Sequence, residues 1–488
     1  MEYQSTRSEA VRASGAEAVL QGMAPDGGLF VPVGGVLPRV DAARLCGLAS
    51  LDLAAEVVCA LLPDFSQDET AAMVRRAYAG RFETADLTPT VRVGERWVLE
   101  LFRGPTAAFK DVALSLLPQL MAAARAKCGA PEEIAILTAT SGDTGKAALE
   151  GFRDVPGTRI LVFYPAEGVS PVQRLQMVTQ PGENVTVCAL RGNFDDAQRG
   201  VKAAFRACTA QDLLRGRPVR LSSANSINIG RLVPQIVYYF KAYGDLLRAG
   251  ALRMGEPLDF VVPTGNFGDI LAGWCAGAMG LPVGTLVCAS NENDVLTEFF
   301  RTGRYDRRRP FHKTSSPSMD ILVSSNLERL LYLESRDTVL TARLLRELEE
   351  TGCYRLPEDL AARIGAKFQA ASCGEAETRT AIRQVWADHG YLMDPHTAVA
   401  WHAAERCAAG RPTVVLATAS PFKFPGTVLE ALGEAVPADA FAAMDRLTEV
   451  TGVAAPRCLR DLAGAPVRHR DEIDRGDLLP YVLQKLEG

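Results

Sequence analysis

The sequence predicts an α/β protein that begins with a mainly helical region. Residues up to about 95 show the apolar spacing of amphipathic helices, and from about residue 96 short apolar runs alternate with helical patterns. Such alternation is typical of βαβ units and of a mostly parallel sheet. The length of 488 residues exceeds what one hydrophobic core usually holds, so we expect two or three domains.

The individual elements follow from local patterns. Two alanine- and leucine-rich segments, 41–62 and 67–79, have helical spacing and follow a turn at 26–28. The alternating region begins with a predicted strand at 98–102 and a predicted helix at 107–126. Further short apolar runs predict strands at 134–138, 160–164, 185–190, 219–221, 260–262 and 414–417, and a helix at 270–279.

Composition and charge argue against several classes of partner. The net charge is −5 without a long basic block, so neither nucleic acid nor an anionic membrane is expected as the main partner. The first residues lack an apolar core, and no run of about 18 apolar residues occurs, so we expect neither a signal peptide nor a membrane span. Eleven scattered cysteines fit reduced thiols in a cytoplasmic protein. The five histidines show no metal-site spacing, so no metal is expected.

Lys110 is the first candidate for chemistry. It follows the turn residues Gly104 and Pro105, near the start of an apolar helix. A single lysine is usually an exposed helical side chain. A lysine in a partly apolar site has a lowered pKa, however, and can form an imine with a carbonyl compound. The context of Lys110 therefore favours a functional role.

Two loops end a predicted strand and open a predicted helix. The first comprises Ser141, Gly142, Asp143, Thr144 and Gly145, and the second comprises Gly265, Asn266, Phe267, Gly268 and Asp269. Backbone N–H groups and the helix dipole favour an anion at such a position, and glycine lets the backbone approach it closely. Helix capping is the alternative for the first loop, and an ordinary tight turn is the alternative for the second.

Two further segments place polar side chains at the ends of elements. Thr418 and Ser420 follow the strand at 414–417, where a hydroxyl could bind a nitrogen atom of a ligand and leave it unprotonated; a Ser-Pro turn is the alternative. The second segment precedes an apolar helix and contains Asn225, Ser226, Asn228 and Arg231. The fork-shaped guanidinium of Arg231 suits a phosphate or carboxylate, and capping with a surface arginine is the alternative.

In this order the segments resemble the threonine synthase family, in the longer form found in many bacteria and fungi. The resemblance runs along nearly the whole chain and includes Gly104-Pro-Thr-Ala-Ala-Phe-Lys-Asp111 and Ala417-Thr-Ala-Ser-Pro-Phe-Lys-Phe424. The other matching segments are 3–7, 17–29, 141–145, 169–173, 192–198, 223–228, 263–269, 291–294, 316–321, 325–326 and 394–398. So many ordered segments make the resemblance highly specific.

The resemblance implies a fold-type-II enzyme that uses pyridoxal 5'-phosphate (PLP), with two mainly parallel sheets flanked by helices plus a helical N-terminal domain. It divides the chain into an N-terminal domain (1–95), a large PLP-binding domain (96–128 and 223–488) and a smaller α/β domain (129–222) that closes over the substrate. The implied substrate is O-phospho-L-homoserine, and the implied products are L-threonine and phosphate. Monomer and homodimer both remain open.

The resemblance also implies residue roles. Lys110 would hold PLP and move protons, residues 265–269 would hold the cofactor phosphate, and Asp143 would lie near the cofactor's phenolic oxygen. Thr418 or Ser420 would face the pyridine nitrogen. The implied substrate-binding residues are Ser141, Gly142, Thr144, Asn225, Ser226, Asn228, Arg231 and Lys423, with Arg231 the first candidate for the distal phosphate and Lys423 the second.

The sequence departs from the family pattern at Ser8, Arg103, Ala107 and Ser420. Arg103 stands where histidine is usual, seven residues before Lys110, and could alter the phosphate pocket or the handling of the leaving group. It keeps open a second hypothesis, a related PLP lyase or transferase that gives a keto acid or another replacement product. A third hypothesis is a PLP- or phosphate-binding protein without catalysis.

Overall fold

The computed structural model describes residues 1–140, 142–167, 169–210, 213–214, 216, 218–407 and 410–487. In chain order the strands are β1 Glu2–Ser5, β2 Arg12–Ser14, β3 Phe30–Pro32, β4 Thr90–Val93, β5 Arg96–Glu100, β6 Glu133–Ala139, β7 Thr158–Pro165, β8 Val185–Leu190, β9 Val219–Ser222, β10 Leu258–Pro263, β11 Val283–Ser290, β12 Arg304–Asp306, β13 Cys353–Arg355, β14 Phe368–Ser372, β15 Thr413–Ala417 and β16 Asp471–Ile473.

The helices surround the sheets. They are α1 Gly15–Gln21, α2 Ala42–Cys46, α3 Ser50–Leu61, α4 Gln67–Tyr78, α5 Lys110–Lys127, α6 Asp143–Phe152, α7 Pro171–Val178, α8 Phe194–Ala210, α9 Ile229–Arg248, α10 Gly268–Met279, α11 Val295–Thr302, α12 Leu327–Ser335, α13 Thr338–Thr351, α14 Glu358–Gly365, α15 Glu375–His389, α16 Pro395–Cys407, α17 Pro425–Leu432, α18 Ala440–Thr451, α19 Arg457–Arg460 and α20 Leu478–Lys485. Short 3₁₀ turns lie at Val33–Gly35, Pro317–Met319, Pro421–Lys423, Asp461–Gly464 and Arg475–Asp477.

Two mainly parallel sheets organise the molecule, as predicted. The larger has the order β14-β11-β10-β15-β5-β4, in which only the edge strand β4 runs antiparallel to its neighbour. The smaller has the order β16-β8-β7-β6-β9 and is parallel throughout. The buried strands β10 and β15 contain the apolar runs 260–263 and 414–417, which are typical of parallel sheets covered by helices on both faces.

The N-terminal region is less uniformly helical than predicted. The strands β1, β2 and β3 form a small antiparallel sheet that the sequence analysis did not anticipate. The predicted helix at 41–62 is divided into α2 and α3, because α2 ends at Gly47 and Ala49 adopts extended backbone before α3 begins. The predicted helix at 67–79 is confirmed as α4, which begins with a capping box formed by Ser66 and Glu69.

The C-terminal segment departs from the predicted domain boundaries. Residues 223–488 were all expected in the large domain, but β16 pairs with β8 and adds an edge strand to the smaller sheet. The helix α20 then packs against α8, and Tyr481 of α20 meets Phe163 of β7 edge to face. The segment 471–485 therefore belongs structurally with residues 129–222.

Helix α5 connects the sheets with the N-terminal region. It packs against α1, α4, α6 and α9, and most of its side chains are buried. Its first residue is Lys110. Among the described residues, no helix is both long and apolar enough to cross a membrane.

Candidate active site

The predicted site residues converge where strands of both sheets end. Helix α6 begins at Asp143 after β6, α10 begins at Gly268 after β10, and the loop after β15 carries Thr418 and Lys423. The carboxyl ends of parallel strands are where α/β proteins place ligands. Lys110 lies between these ends, because a bridge between Ala108 and Ala419 holds the turn before it against the loop after β15.

The Lys110 amine lies in a nearly buried position. Its Nζ is 3.3 Å from the Ser318 hydroxyl and 3.7 Å from Asp143 Oδ2. Burial, together with the positive charges of Lys423 and Arg231, lowers the pKa of Lys110 to about 8, although Asp143 opposes this. A substantial fraction of the amine is therefore uncharged at mildly basic pH, as a nucleophile or proton acceptor requires.

Asp143 is the anionic partner in this group. Burial would raise the pKa of Asp143, but the ammonium groups of Lys423 and Lys110 outweigh that cost and hold the pKa well below its usual range. One carboxylate oxygen accepts a hydrogen bond from Gln173 at 3.0 Å and is 2.5 Å from Lys423 Nζ. Asp143 is therefore a fixed negative charge beside Lys110.

Lys423 has a different place from the one predicted. It was the second candidate for the substrate phosphate, but its side chain is fully buried and its ammonium lies between Asp143 and the Thr106 carbonyl oxygen, 3.1 Å away. Both contacts are internal to the protein. The structure thus makes Lys423 the counterion of Asp143, a role that sequence spacing could not reveal.

The turn before Lys110 is held by its neighbour Asp111. The Thr106 N–H and hydroxyl donate to the two oxygens of this carboxyl group, at 2.8 and 2.5 Å. Ala107 adopts left-handed backbone with a φ of 58°, and its carbonyl accepts the Ser420 N–H at 3.1 Å. These contacts fix the backbone that leads into α5.

The loop 265–268 forms the second candidate anion site. Phe267 has a φ of 63°, an uncommon conformation for a residue with a side chain, and its buried ring packs against Phe300 and Phe368. The Asn266 carbonyl accepts two hydrogen bonds from Asn326, at 3.1 and 3.0 Å. The first N–H groups of α10 have no partner within the helix, which makes them donors for an anion.

Close approach of two loops explains Gly265. A Cβ atom built on Gly265 would lie 2.7 Å from the backbone oxygen of Ser318, too close for any side chain. Because Ser318 also contacts Lys110, the glycine lets the anion loop and the lysine come together.

Asp269 was predicted to bind the cofactor, but its side chain is directed at α9. One oxygen accepts hydrogen bonds from the hydroxyls of Tyr238 at 2.6 Å and Tyr239 at 3.1 Å. The other oxygen is buried without a hydrogen-bond partner among the described residues. Burial raises the pKa of Asp269 to about 6. These contacts give the Asp269 side chain no part in the anion site, to which residue 269 would contribute through its backbone.

Arg231 is a buried cation with no counterion among the described residues. Its Nη1 donates to the Ala224 carbonyl at 3.0 Å, while its Nε has no partner among the described residues. No carboxylate in the described ranges lies within 4.0 Å of it, and burial lowers its pKa to about 10. A buried guanidinium without an anion is costly, so this arrangement favours an anionic ligand at Arg231.

The other predicted substrate-binding residues divide into two groups. Asn225 and Ser226 are at least partly exposed, and they contact Thr138 at 3.3 Å and Ser325 at 3.4 Å respectively. Asn228 is fully buried and caps α9, so the prediction that it contacts substrate is replaced by a structural role. Its amide accepts from Gly230 N–H and donates to two carbonyl groups, which leaves it no free donor.

The loop before α6 also contains predicted residues. Gly142 N–H donates to the Thr140 hydroxyl at 3.0 Å, and Thr144 is the second residue of α6. Ser141 lies outside the described residues. The N-terminus of α6 thus presents backbone donors close to Asp143.

Thr418 and Ser420 are both buried in the loop after β15. The Thr418 carbonyl accepts the Phe109 N–H at 2.8 Å, so this residue lies directly against the turn that precedes Lys110. The Ser420 hydroxyl accepts from the Phe422 N–H at 3.3 Å and keeps its own proton for donation or sharing. Neither of these two hydrogen bonds involves a carboxylate.

Arg103 does not enter the group around Lys110. Its guanidinium donates to Glu100 at 2.8 and 2.6 Å and to Glu83 at 3.2 Å, and about a third of the side chain is exposed. The expectation that Arg103 alters the phosphate pocket or the leaving group is not supported by these contacts.

The sequence analysis assigned no role to Ser318, Gln173 or His396, although each contacts this site directly or through one residue. Ser318 touches Lys110, Gln173 touches Asp143, and His396 accepts the Ser318 N–H at 3.2 Å. All three lie in segments that carry the family resemblance, 169–173, 316–321 and 394–398. Their location in these segments was the feature of the sequence that could have identified them as site residues.

The residues that the structure brings together fit the chemical groups of PLP. A phosphorylated aldehyde needs an amine that can lose its proton and an anion site with backbone donors, and Lys110 and the start of α10 supply them. The Nε of Arg231, which has no partner among the described residues, supplies a charge for a further anion. Within the described residues, no group of His, Cys, Asp or Glu side chains could hold a metal ion.

Comparison with known proteins gives the same result independently. A model of the pyridoxal-phosphate dependent enzyme family matches residues 87–419, and models of the threonine synthase N terminus and C-terminal region match residues 2–78 and 397–461. Threonine synthase from Pseudomonas aeruginosa is 41% identical over 446 residues, which cover 89% of this chain and 91% of that protein.

Solved structures agree along the full chain. PLP-bound threonine synthase from Brucella melitensis aligns with a TM-score of 0.89 at 37% identity and covers 100% of both chains. The yeast enzyme aligns with a TM-score of 0.88 at 32% identity and covers 100% of this chain and 98% of that one. The chain therefore belongs to the threonine synthase family of PLP-dependent lyases.

Proposed function

We propose that this protein converts O-phospho-L-homoserine and water into L-threonine and phosphate. One observation carries the proposal: the Lys110 amine, with its pKa lowered to about 8, lies close to two anion sites, at the start of α10 and at Arg231. A cofactor and a substrate that each bear a phosphate need both sites. The relatives named threonine synthase support this substrate and product.

Different residues would contact different parts of the cofactor. Lys110 would hold PLP covalently, the loop 265–268 would bind its phosphate through backbone N–H groups, and Asp143 would lie near its phenolic oxygen. Thr418 or Ser420 would meet its ring nitrogen with a neutral hydroxyl. When bound, PLP supplies an electron sink that stabilises negative charge on substrate carbon atoms.

The protein's own groups would then bind, orient and move protons. Arg231 would hold the distal phosphate of the substrate, and the backbone N–H of Thr144, at the start of α6, would receive its carboxylate. Gly142 would line this loop, because its own N–H donates to Thr140. Lys110 Nζ, once released, would remove a proton from the α-carbon, remove one from the β-carbon and return one to the γ-carbon. Lys423 would keep Asp143 ionised throughout, because the two groups lie 2.5 Å apart.

We also propose that residues 129–222, together with 471–485, form a smaller domain that closes over the substrate, and that residues 1–95 form an N-terminal domain. Asp143 of the smaller unit already meets Lys110 and Lys423 of the larger one, which supports a site between them. Closure predicts slower proteolysis with an unreactive substrate analogue than without one. Equal protection would contradict it.

Location and assembly are part of the same proposal. The scattered cysteines favour a cytoplasmic enzyme, and the partner is a small phosphorylated amino acid rather than nucleic acid or a membrane. Size-exclusion chromatography with light scattering would distinguish the monomer from the homodimer, which the proposal leaves open.

Product analysis tests the function directly. Purified protein loaded with PLP is incubated with O-phospho-L-homoserine, and mass spectrometry of the products is combined with a phosphate assay. We expect threonine and phosphate in equal amounts. A keto acid or another product formed with phosphate would contradict the proposal.

A lysine substitution tests the assignment of Lys110. Lys110→Ala should reduce turnover by at least about a thousandfold, since it removes both the anchor and the proton-transferring amine, and it should abolish the borohydride-reducible yellow colour. Lys127→Ala is the matched control, because Lys127 ends the same helix and its amine contacts Glu69 and the Phe65 ring, far from the candidate site. Retained turnover in Lys110→Ala would rule out the role.

A further inference from the structure

We propose that Ser318 is a further catalytic residue, which binds the Lys110 amine through its hydroxyl, and that the His396–Asp394 pair positions it. The inference rests on the proposed function, because Lys110 is the reacting group there. It concerns two segments, 316–321 and 394–398, to which the roles above assign no chemistry.

Ser318 lies at the meeting point of three parts of the site. Its Oγ is 3.3 Å from Lys110 Nζ and 3.5 Å from Asp143 Oδ2, and its backbone oxygen faces Gly265. The residue itself is solvent-exposed, unlike Lys110 and Asp143. Its hydroxyl therefore forms the accessible wall beside a buried amine.

The direction of these hydrogen bonds follows from the charges. Asp143 is ionised and can only accept, so the Ser318 hydroxyl proton points to it. The lone pairs of the Ser318 oxygen are then free to accept from Lys110 Nζ. The hydroxyl thus links the amine to the carboxylate, which are 3.7 Å apart directly.

A buried histidine holds Ser318 in place. His396 Nε2 accepts the Ser318 N–H at 3.2 Å, and its Nδ1 is 2.6 Å from Asp394 Oδ2. These two contacts assign the ring as a neutral imidazole with its proton on Nδ1, since Nε2 must accept. The ring is 2% exposed and packs on Phe424 with 5.1 Å between centroids.

Asp394 is in turn fixed by the start of α16. Its two oxygens accept the N–H groups of His396 and Thr397, both at 3.0 Å, as well as the Thr397 hydroxyl. The histidine is thus oriented by a carboxylate that is anchored to a helix N-terminus. Such an arrangement transmits the rigidity of α16 to the loop that carries Ser318.

The opposite side of this loop is anchored as well. Asn291, just beyond β11, donates to Ser316 at 3.0 Å and to Asp320 at 2.8 Å. Asn293 donates to the same oxygen of Asp320 at 3.0 Å. The loop is thus held at both ends, and between them His396 accepts the Ser318 N–H.

This arrangement predicts two effects in catalysis. The Ser318 hydroxyl would orient the Lys110 amine after its release, so that the nitrogen lone pair faces the substrate. It would also stabilise the ammonium form of Lys110 by accepting a hydrogen bond from it. Ser318→Ala should therefore lower kcat by about 10- to 100-fold, which is at or below the lower limit for a group that itself transfers the proton, with KM changed little.

The decisive readout uses the enzyme without cofactor, so that it does not depend on turnover. The rate at which an amine reagent labels Lys110 is followed by peptide mass spectrometry as a function of pH. Loss of the hydrogen bond to the charged amine should lower the midpoint in Ser318→Ala by about 0.5 to 1 pH unit. Asp143, Lys423 and Arg231, the charged groups that face Lys110, are unchanged in this variant.

Four further variants complete the test. Ser315→Ala is the matched control in the same loop, since Ser315 contacts Glu375 and not Lys110. His396→Leu should shift the labelling midpoint as Ser318→Ala does, whereas His396→Gln, which keeps an acceptor, should restore part of it. His402→Asn controls for changes in α16, because its ring is bound only to Arg406 among the described residues.

The outcomes separate the two proposals. A wild-type protein that makes no threonine but shows the expected labelling shifts would contradict the proposed function and support the role of Ser318. Unchanged labelling and unchanged kcat in Ser318→Ala would overturn the role of Ser318. Equal effects of His396→Leu and His396→Gln would overturn the positioning role of the histidine.

Discussion

Two buried aspartates occupy equivalent local positions in the two sheets but differ in charge. Asp143 is the first residue of α6, after β6, and Asp269 is the second residue of α10, after β10. Neighbouring ammonium groups hold the pKa of Asp143 well below its usual range, whereas burial with only tyrosine hydroxyls as partners raises the pKa of Asp269 to about 6.

The difference shows that a strand–loop–helix motif does not define the chemistry of its aspartate. Both helix starts would favour a carboxylate to a similar extent through their dipoles. The neighbouring side chains decide the outcome, because a buried charge needs a counterion and a hydroxyl is a weaker substitute. Only the helix start in the smaller sheet has cations beside it, Lys423 and Lys110.

Removing the counterion should have the largest effect on this contrast. Lys423→Met leaves the Asp143 carboxylate buried beside Lys110 alone, and loss of one partner of a buried ion pair costs about 3–5 kcal/mol. We expect the free energy of unfolding at pH 8, measured with urea, to fall by that amount. Lys127→Met, which breaks a half-exposed pair with Glu69, should change it by less than about 1 kcal/mol. Equal losses in the two variants would contradict the assignment of Lys423.

The contribution of Asp269 to the stability of the folded protein should change with pH in the opposite sense to that of an ordinary ion-paired aspartate. Its pKa of about 6 in the folded state exceeds the ordinary value, so the folded protein binds more protons between the two pKa values. Stability should therefore fall as pH rises from about 4 to about 6, by about 3 kcal/mol at most.

The variant Asp269→Asn removes this titration but keeps an acceptor for Tyr238. It should gain stability relative to the wild type, by about 2–3 kcal/mol, between pH 4 and pH 7. Urea midpoints at several pH values measure this, with Asp359→Asn as a surface control that involves an exposed ion pair with Arg363. A pH-independent difference would show that Asp269 has an ordinary pKa.

Arg103 should give the smallest effect, because it lies outside both helix starts. Arg103→His removes two hydrogen bonds from Glu100, which still accepts one from Tyr391 at 3.1 Å. We expect the same products, kcat/KM within about twofold and a stability loss of about 1 kcal/mol. A changed product, detected by mass spectrometry, would restore the hypothesis of a related enzyme with a different reaction.

Regular elements with strong apolar patterns were predictable from the sequence. The runs 260–262 and 414–417 lie inside β10 and β15, and the helix expected at 270–279 is α10. Short or polar elements were not predictable. The strand β16 reads Asp-Glu-Ile and has no apolar alternation, so only its pairing with β8 reveals it. Tertiary contacts override local pattern in such segments.

The site was predictable as a group of segments, but the contacts of individual side chains were not. The segment containing Lys110 and the loop 265–268 were recognised, because glycine and proline mark their turns. The partner of Lys423 was not recognised, since the position of a lysine in the sequence does not show whether a phosphate or Asp143 lies beside its ammonium group. Ser318 was missed because it is 208 residues from Lys110 in sequence.

The pairing of β16 with β8 has a consequence for the protein during its synthesis. The two strands lie in parts of the chain that are 283 residues apart, the separation of the neighbouring pair Arg191 and Asp474. At about 5–20 residues per second, a ribosome needs on the order of half a minute to produce that length. During this interval β8 is an exposed edge, and exposed edges attract other strands. A chaperone that covered the β8 edge would therefore protect the nascent smaller sheet until β16 is made.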